Sequence, residues 1–235
     1  MQKSMIKLLS IADIVSLINA CFGFTAIIVL FSNLSFSDEM RIRLSFSFIL
    51  LAILGDGLDG IIARKTHASK LGEYLEAMAD MTSLGIAPAI FIYTIYYNLV
   101  ASCIYCYGYL IFALIIFIVL SVIRLASFHI MKKEDFFVGL PASASTIILL
   151  IVSYLKIEYF YILPIIVIIS FIMVSNIRFP KLNIKMDTIA TVLILLTLIM
   201  DKMYYSIAPI LLLLAIISYA IGGPFYLRLK KINTA

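Results

Sequence analysis

The sequence predicts an all-α polytopic membrane protein: a bundle of about eight transmembrane helices behind an amphipathic surface helix. Three observations predict it. Of 235 residues, 64% are hydrophobic, and mean hydropathy is +1.14, where soluble domains lie nearer half apolar. Long apolar runs alternate with short, polar, mostly basic connections. Those connections divide the 18 Lys and Arg residues unevenly, as expected of loops that orient a chain in a bilayer. The net charge of +5 therefore reads as membrane orientation, and no nucleic-acid partner is expected.

The elements follow in order. Met1–Ser10 sets Lys3 and Lys7 against Met5, Ile6, Leu8 and Leu9, the pattern of a helix lying on a membrane surface. Eight apolar stretches come next, near 12–34, 43–63, 72–98, 104–130, 141–155, 158–176, 187–201 and 206–227. The fifth and seventh fall short of the roughly 20 residues that cross a bilayer, which leaves a six-span alternative. With the N-terminus inside, Lys3, Lys7, Arg64, Lys65, Lys70, Lys132, Lys133, Arg178, Lys181, Lys185, Arg228, Lys230 and Lys231 are cytoplasmic. Only Arg41, Arg43, Lys156 and Lys202 lie opposite, so both termini are expected in the cytoplasm. A single integral domain, 1–235, is expected. Tyr93, Tyr96, Tyr97, Tyr105, Tyr107 and Tyr109 flank the far interface as an aromatic belt. Cys103 and Cys106 have no His or acidic neighbours and read as small apolar packing residues.

One stretch breaks the pattern. Asp56, Asp59, Glu76 and Asp80 lie in or beside hydrophobic runs that hold no basic residue. A carboxylate at mid-bilayer costs about 2.5–3.5 kcal/mol on an insertion scale, so such acids call for a compensating ligand. Asp56 and Asp59 share a helix face at a spacing of three, and Glu76 and Asp80 share one at a spacing of four. The short connection through Arg64, Lys65, His67 and Lys70 makes the two helices antiparallel neighbours, with the acids near the cytoplasmic face. Oxygen-only ligands suit Mg²⁺ or Mn²⁺ rather than zinc, and paired ions suit phosphoryl chemistry. Gly55, Gly57, Gly60, Ala63 and Gly72 strip side chains from the helices beside the acids, either for close helix packing or for a ligand that approaches backbone.

The run Asp56-x2-Asp59-Gly60-x2-Ala63-Arg64-x7-Gly72-x3-Glu76-x3-Asp80 resembles the signature of the CDP-alcohol phosphotransferases. Two features depart from it: seven residues follow Arg64 where eight are usual, and Glu76 stands where the third acid is normally Asp. Four further segments resemble the phosphatidylserine synthase subgroup: Asp80–Ala89, Arg124–Phe128, Phe137–Ala142 and Ser175–Pro180. The first span, with Asp13, Ser16, Asn19 and Gly23, is similar as well, so the resemblance runs over 12–180, with the signature at 56–80.

The resemblance implies a six-helix family core and a homodimer. It implies transfer of a phosphatidyl group from a CDP-activated lipid to an alcohol, L-serine for this subgroup, with release of CMP. Asp56, Asp59 and Glu76 would hold two divalent cations, with Asp80 as last ligand and general base. Gly60, Ala63, Arg64 and Gly72 would admit the CDP-lipid. Asp13, Ser16 and Asn19, on one helix side, would face the cytidine or bond between helices. Arg124, the one base placed within a span, demands an anion: serine's carboxylate, the lipid-side phosphate, or an acid such as Asp13. Arg178 and Ser83 are further candidates for serine or phosphate. The alternatives are a sister enzyme using glycerol phosphate or inositol phosphate and, in a different class, a cation transporter with an acidic ion site.

Overall fold

The computed structural model describes residues 9–32, 36–65, 71–128, 131, 136–181, 184–200 and 206–233. The surface helix expected at Met1–Ser10 falls mainly on residues outside these, as does the basic connection at 66–70. Helices dominate, in the order α1 (Ile11–Phe31), α2 (Asp38–Lys65), α3 (Gly72–Asp80), a π-helical segment (Met81–Ile86), α4 (Ala87–Val100), α5 (Ile104–Phe128), α6 (Ala142–Tyr154), α7 (Tyr159–Met173), α8 (Ile184–Met200) and α9 (Ile207–Asn233). Four helical runs are long and apolar enough to cross a membrane: Ile11–Phe31, Gly72–Val100, Ile104–Phe128 and Ile207–Leu229. The protein is a polytopic membrane protein. By contact, residues 1–94 form one compact unit and 95–235 another.

The first unit is built on α1. Its capping box is complete: the Ser10 hydroxyl accepts from the Asp13 N–H, and the Asp13 carboxylate accepts from the Ser10 N–H at 2.6 Å. Small and polar residues then face inward at helical spacing (Ala12, Ser16, Asn19, Gly23, Ala26), while Ile11, Ile14, Ile18, Phe24 and Ile28 face outward. In water that orientation would be inverted. In a bilayer it is favourable, because lipid costs nothing to an isoleucine and small residues let backbones approach. Phe46, Ile49 and Leu50 of α2 and Phe91 of α4 are fully buried in its core, with the Phe46 and Phe91 rings 6.3 Å apart.

In the second unit, α6 is 13 residues long and buried from Ala144 to Ser153. At 1.5 Å per residue it reaches about 20 Å, shorter than a bilayer core of ~30 Å. It is an interior helix, and its short length follows from that. Tyr96 departs from the expected interfacial belt: its ring is fully buried and its hydroxyl donates to the Ile157 carbonyl at 2.6 Å. Tyr97, Tyr105 and Tyr109 remain exposed. Cys103 and Cys106 also differ from the packing role expected of them, since the two are joined as a disulfide at the start of α5.

A two-stranded antiparallel ribbon interrupts the helices, β1 (Phe136–Val138) against β2 (Arg178–Pro180), with Phe137 opposite Phe179. Gly139 makes the turn out of β1 with φ +77°, and its N–H donates to the Ile177 carbonyl at 2.7 Å. A side chain there would meet both a left-handed backbone and the Met173 carbonyl. From above, α9 closes on the ribbon: Tyr219 donates to the Pro180 carbonyl at 2.9 Å, and Gly223 packs on the Pro180 ring. Gly139→Ala should therefore destabilise the protein by about 1–3 kcal/mol, read as a lower thermal midpoint in detergent. Gly108→Ala, where an added methyl meets open space within a helix, should leave that midpoint unchanged or raise it.

Candidate active site

Packing of α2 and α3 against α1 brings the acids together. One carboxylate oxygen from each of Asp56, Glu76 and Asp80 lies within 4.8 Å of the others. Asp56 and Glu76 are half-buried, and Asp80 is 7% exposed. Glu76 thus reaches the cluster from the position where the signature has Asp. At 4.8 Å and an effective dielectric near 20, each pair of charges repels by about 3.5 kcal/mol, or roughly 10 kcal/mol for three pairs. The fold holds these groups together against that repulsion. A hard, oxygen-only donor set of this kind fits a divalent cation such as Mg²⁺ or Mn²⁺.

Three local features aim Asp80. Asn19 on α1 donates its Nδ2 to the Asp80 Oδ1 at 3.0 Å, a bond between two buried side chains 61 residues apart in the chain. Gly55, next to Asp56, packs on Asn19, so α1, α2 and α3 meet at this residue. Directly after Asp80 the helix widens into the π-segment, where the Ala87 N–H reaches back to the Thr82 carbonyl. The extra residue in that turn lets Ser83, Leu84 and Gly85 all be buried. Ser83 then sits against Gly23, where an added Cβ would come 2.6 Å from the Ser83 Cα.

The other sequence candidates fall as follows. Gly72 opens α3. Asp59, Gly60, Ala63 and Arg64 continue α2 past Asp56, but their side chains lie outside the described residues. Asp13 is engaged in the α1 cap, and the Ser16 hydroxyl donates to the Ala12 carbonyl at 3.4 Å. Ser83 donates to the Ala79 carbonyl at 3.1 Å, its own helix backbone. In the second unit, Arg124 is 5% exposed. Its Nε donates to the Leu140 carbonyl at 3.4 Å and its guanidinium lies 5.4 Å from the Phe128 ring centroid. No carboxylate among the described residues pairs with it. Arg178 stands over the Phe136 ring at 4.8 Å.

Of the two roles the sequence left open for Asn19, the structure shows the bond between helices, and it adds the partner, Asp80, which the sequence did not name. The π-segment left no signal beyond the small residues Ser83 and Gly85. If this packing sets the site, Gly23→Ala should force α1 away from the π-segment, at about 1–3 kcal/mol of stability. It should also weaken Mn²⁺ binding by several-fold in a titration followed by paramagnetic resonance. Gly55→Ala, whose methyl would stand 3.6 Å from the Asn19 Cβ in ordinary contact, should bind the ion as the unaltered protein does.

Comparison with known proteins agrees with this geometry. A model of the CDP-alcohol phosphatidyltransferase family matches residues 9–177, which include every residue of the cluster. A CDP-diacylglycerol–serine O-phosphatidyltransferase of Methanocaldococcus jannaschii is 33% identical over 178 residues, covering 74% of this chain and 76% of that protein. A protein of the same name from Helicobacter pylori is 29% identical over 185 residues, covering 71% and 74%. An archaetidylserine synthase of Methanothermobacter thermautotrophicus is 26% identical over 194 residues, covering 77% and 74%. With a family match over residues 9–177 and Asp56, Glu76 and Asp80 of that stretch gathered at one point, the chain belongs to the CDP-alcohol phosphatidyltransferase family.

Proposed function

We propose that this protein transfers the phosphatidyl group of a CDP-activated lipid, diacyl or ether-linked, to the hydroxyl of L-serine and releases CMP. The observation that carries the reading is the Asp56–Glu76–Asp80 cluster, held in a family whose similar members bear the names of serine-accepting synthases. One or two Mg²⁺ or Mn²⁺ ions, held by Asp56, Asp59, Glu76 and Asp80, would neutralise the pyrophosphate and the departing CMP.

The chain's own residues do the rest. Asp80 takes the proton of the serine hydroxyl as its oxygen attacks the phosphorus bonded to the lipid, and the bond from that phosphorus to the CMP oxygen breaks. Gly60, Ala63 and Gly72 leave backbone open to the nucleotide, and Arg64 clamps a phosphate. Arg124, buried and without a carboxylate partner among the described residues, holds an anion of the substrate, with Arg178 beside the same ribbon as a second candidate.

The orientation that fits has both termini and the carboxylates at the cytoplasmic face of the cell membrane. The Cys103–Cys106 disulfide supports it, because the same topology puts that turn on the opposite, oxidising side. A bundle of about eight transmembrane helices, counting the shorter apolar helices with the four long ones, and a homodimer complete the reading.

The test is CMP release from CDP-diacylglycerol by purified protein at saturating Mg²⁺ or Mn²⁺, comparing serine, glycerol 3-phosphate and inositol phosphate. Release with serine is expected; release with another acceptor alone would move the assignment to a sister enzyme, and ion flux without CMP release to a transporter. Asp80→Asn should lower turnover by at least ~10²-fold while CDP-lipid binding persists. Arg124→Ala should raise the serine KM if it holds the carboxylate, and weaken CDP-lipid binding instead if it holds the phosphate.

A further inference from the structure

The amide of Asn19 is half used. Its Nδ2 donates to the Asp80 Oδ1 at 3.0 Å, while its Oδ1 is buried and no donor among the described residues reaches it. The orientation of the amide follows from chemistry. An ionised carboxylate only accepts, so the NH₂ must face Asp80 and the carbonyl must be the atom left over. Amide O and N stand about 2.2 Å apart by standard bond lengths and angles, which keeps that carbonyl within roughly 5 Å of the Asp80 oxygen. Asn19 is 0% exposed, and a buried acceptor left unmatched costs about 1–3 kcal/mol. A folded chain carries that cost most readily where a ligand relieves it.

We propose that Asn19 is a positioning residue for Asp80, and that its carbonyl accepts a hydrogen bond from the incoming acceptor alcohol. The inference rests on the reaction proposed above. By fixing one oxygen of Asp80, Asn19 sets the orientation in which that carboxylate would hold a cation and take the proton of the hydroxyl. Partners of this kind orient ligating carboxylates, and their loss typically costs 10–100-fold in metal affinity or activity. The carbonyl, adjacent to the base, meets the molecule whose hydroxyl the base attacks. A hydroxyl or ammonium on a small amino alcohol supplies the donor, and an acceptor lacking one there would leave Asn19 unmatched.

The test is Asn19→Leu, close to Asn in size and lacking both polar atoms, with thermal unfolding as the check on fold. Mn²⁺ affinity, followed by paramagnetic resonance without turnover, should fall about 10-fold or more. At saturating Mn²⁺, kcat should fall 10–100-fold and the acceptor KM should rise, while the Kd for CDP-diacylglycerol stays within twofold. Unchanged Mn²⁺ affinity together with unchanged kcat overturns the positioning role. A tenfold weaker CDP-diacylglycerol Kd with Mn²⁺ affinity intact assigns Asn19 to the nucleotide instead. A lower kcat with the acceptor KM unmoved removes the carbonyl's part. Failure of the unaltered protein to use serine would overturn the proposed reaction alone, since the Mn²⁺ arm reads the Asn19–Asp80 contact independently of any acceptor. Should Asn19→Leu fail to fold, Asn19→Ser, which leaves a hydroxyl too short to reach Asp80, gives the same comparison.

Discussion

Three carboxylates from two helices share a volume less than 5 Å across, in a protein whose surroundings are largely hydrocarbon. Left alone they would repel one another by roughly 10 kcal/mol, comparable to the whole stability of an ordinary domain. The rest of the first unit makes sense as the answer to that constraint. It must bring α2 and α3 close enough for the acids to converge, and hold the acids where a cation can reach them. Small residues accomplish the first requirement. Gly23 lets α1 touch the backbone at Ser83, and Gly55 lets α2 rest against Asn19.

The inward face of α1 serves the second requirement. A lipid-facing exterior frees the interior face from having to be greasy, so polar residues can be spent there on the site. Asn19 reaches Asp80, and the π-segment that follows turns Ser83 and Gly85 into the packing surface. The second unit solves a different problem with similar means. Its ribbon, closed by Gly139 and covered by α9, carries Arg178, and the chain leaving it gives the Leu140 carbonyl to Arg124 of α5. The same protein thus combines a carboxylate cluster with an arginine that no carboxylate among the described residues neutralises.

Much of this was legible in the sequence. The apolar runs gave the helices, since the hydrocarbon sets their length and composition directly. The spacing of Asp56, Glu76 and Asp80 gave the convergence, because helical periodicity and a short connection leave few other arrangements. What escaped was everything decided by packing between segments far apart in the chain. Tyr96 looked interfacial because tyrosine commonly is, but a buried carbonyl at Ile157 took its hydroxyl. The β-ribbon joins residues some 40 apart through three pairs, too short for any alternating pattern to announce it. Cys103 and Cys106 were read as packing residues because their spacing fits several roles, and the bond between them depends on redox environment. Glu76 departs from the Asp of the signature, yet its carboxylate stands with those of Asp56 and Asp80.

The central claim is that these carboxylates exist to hold divalent cations. Diffraction from crystals grown with Mn²⁺, recorded near the manganese absorption edge, tests it most directly. The account predicts anomalous peaks within coordination distance of Asp56, Glu76 and Asp80, about 2.1–2.3 Å from their oxygens. Well-ordered carboxylates with no peak between them, at saturating Mn²⁺ and with CDP-lipid present, would contradict it.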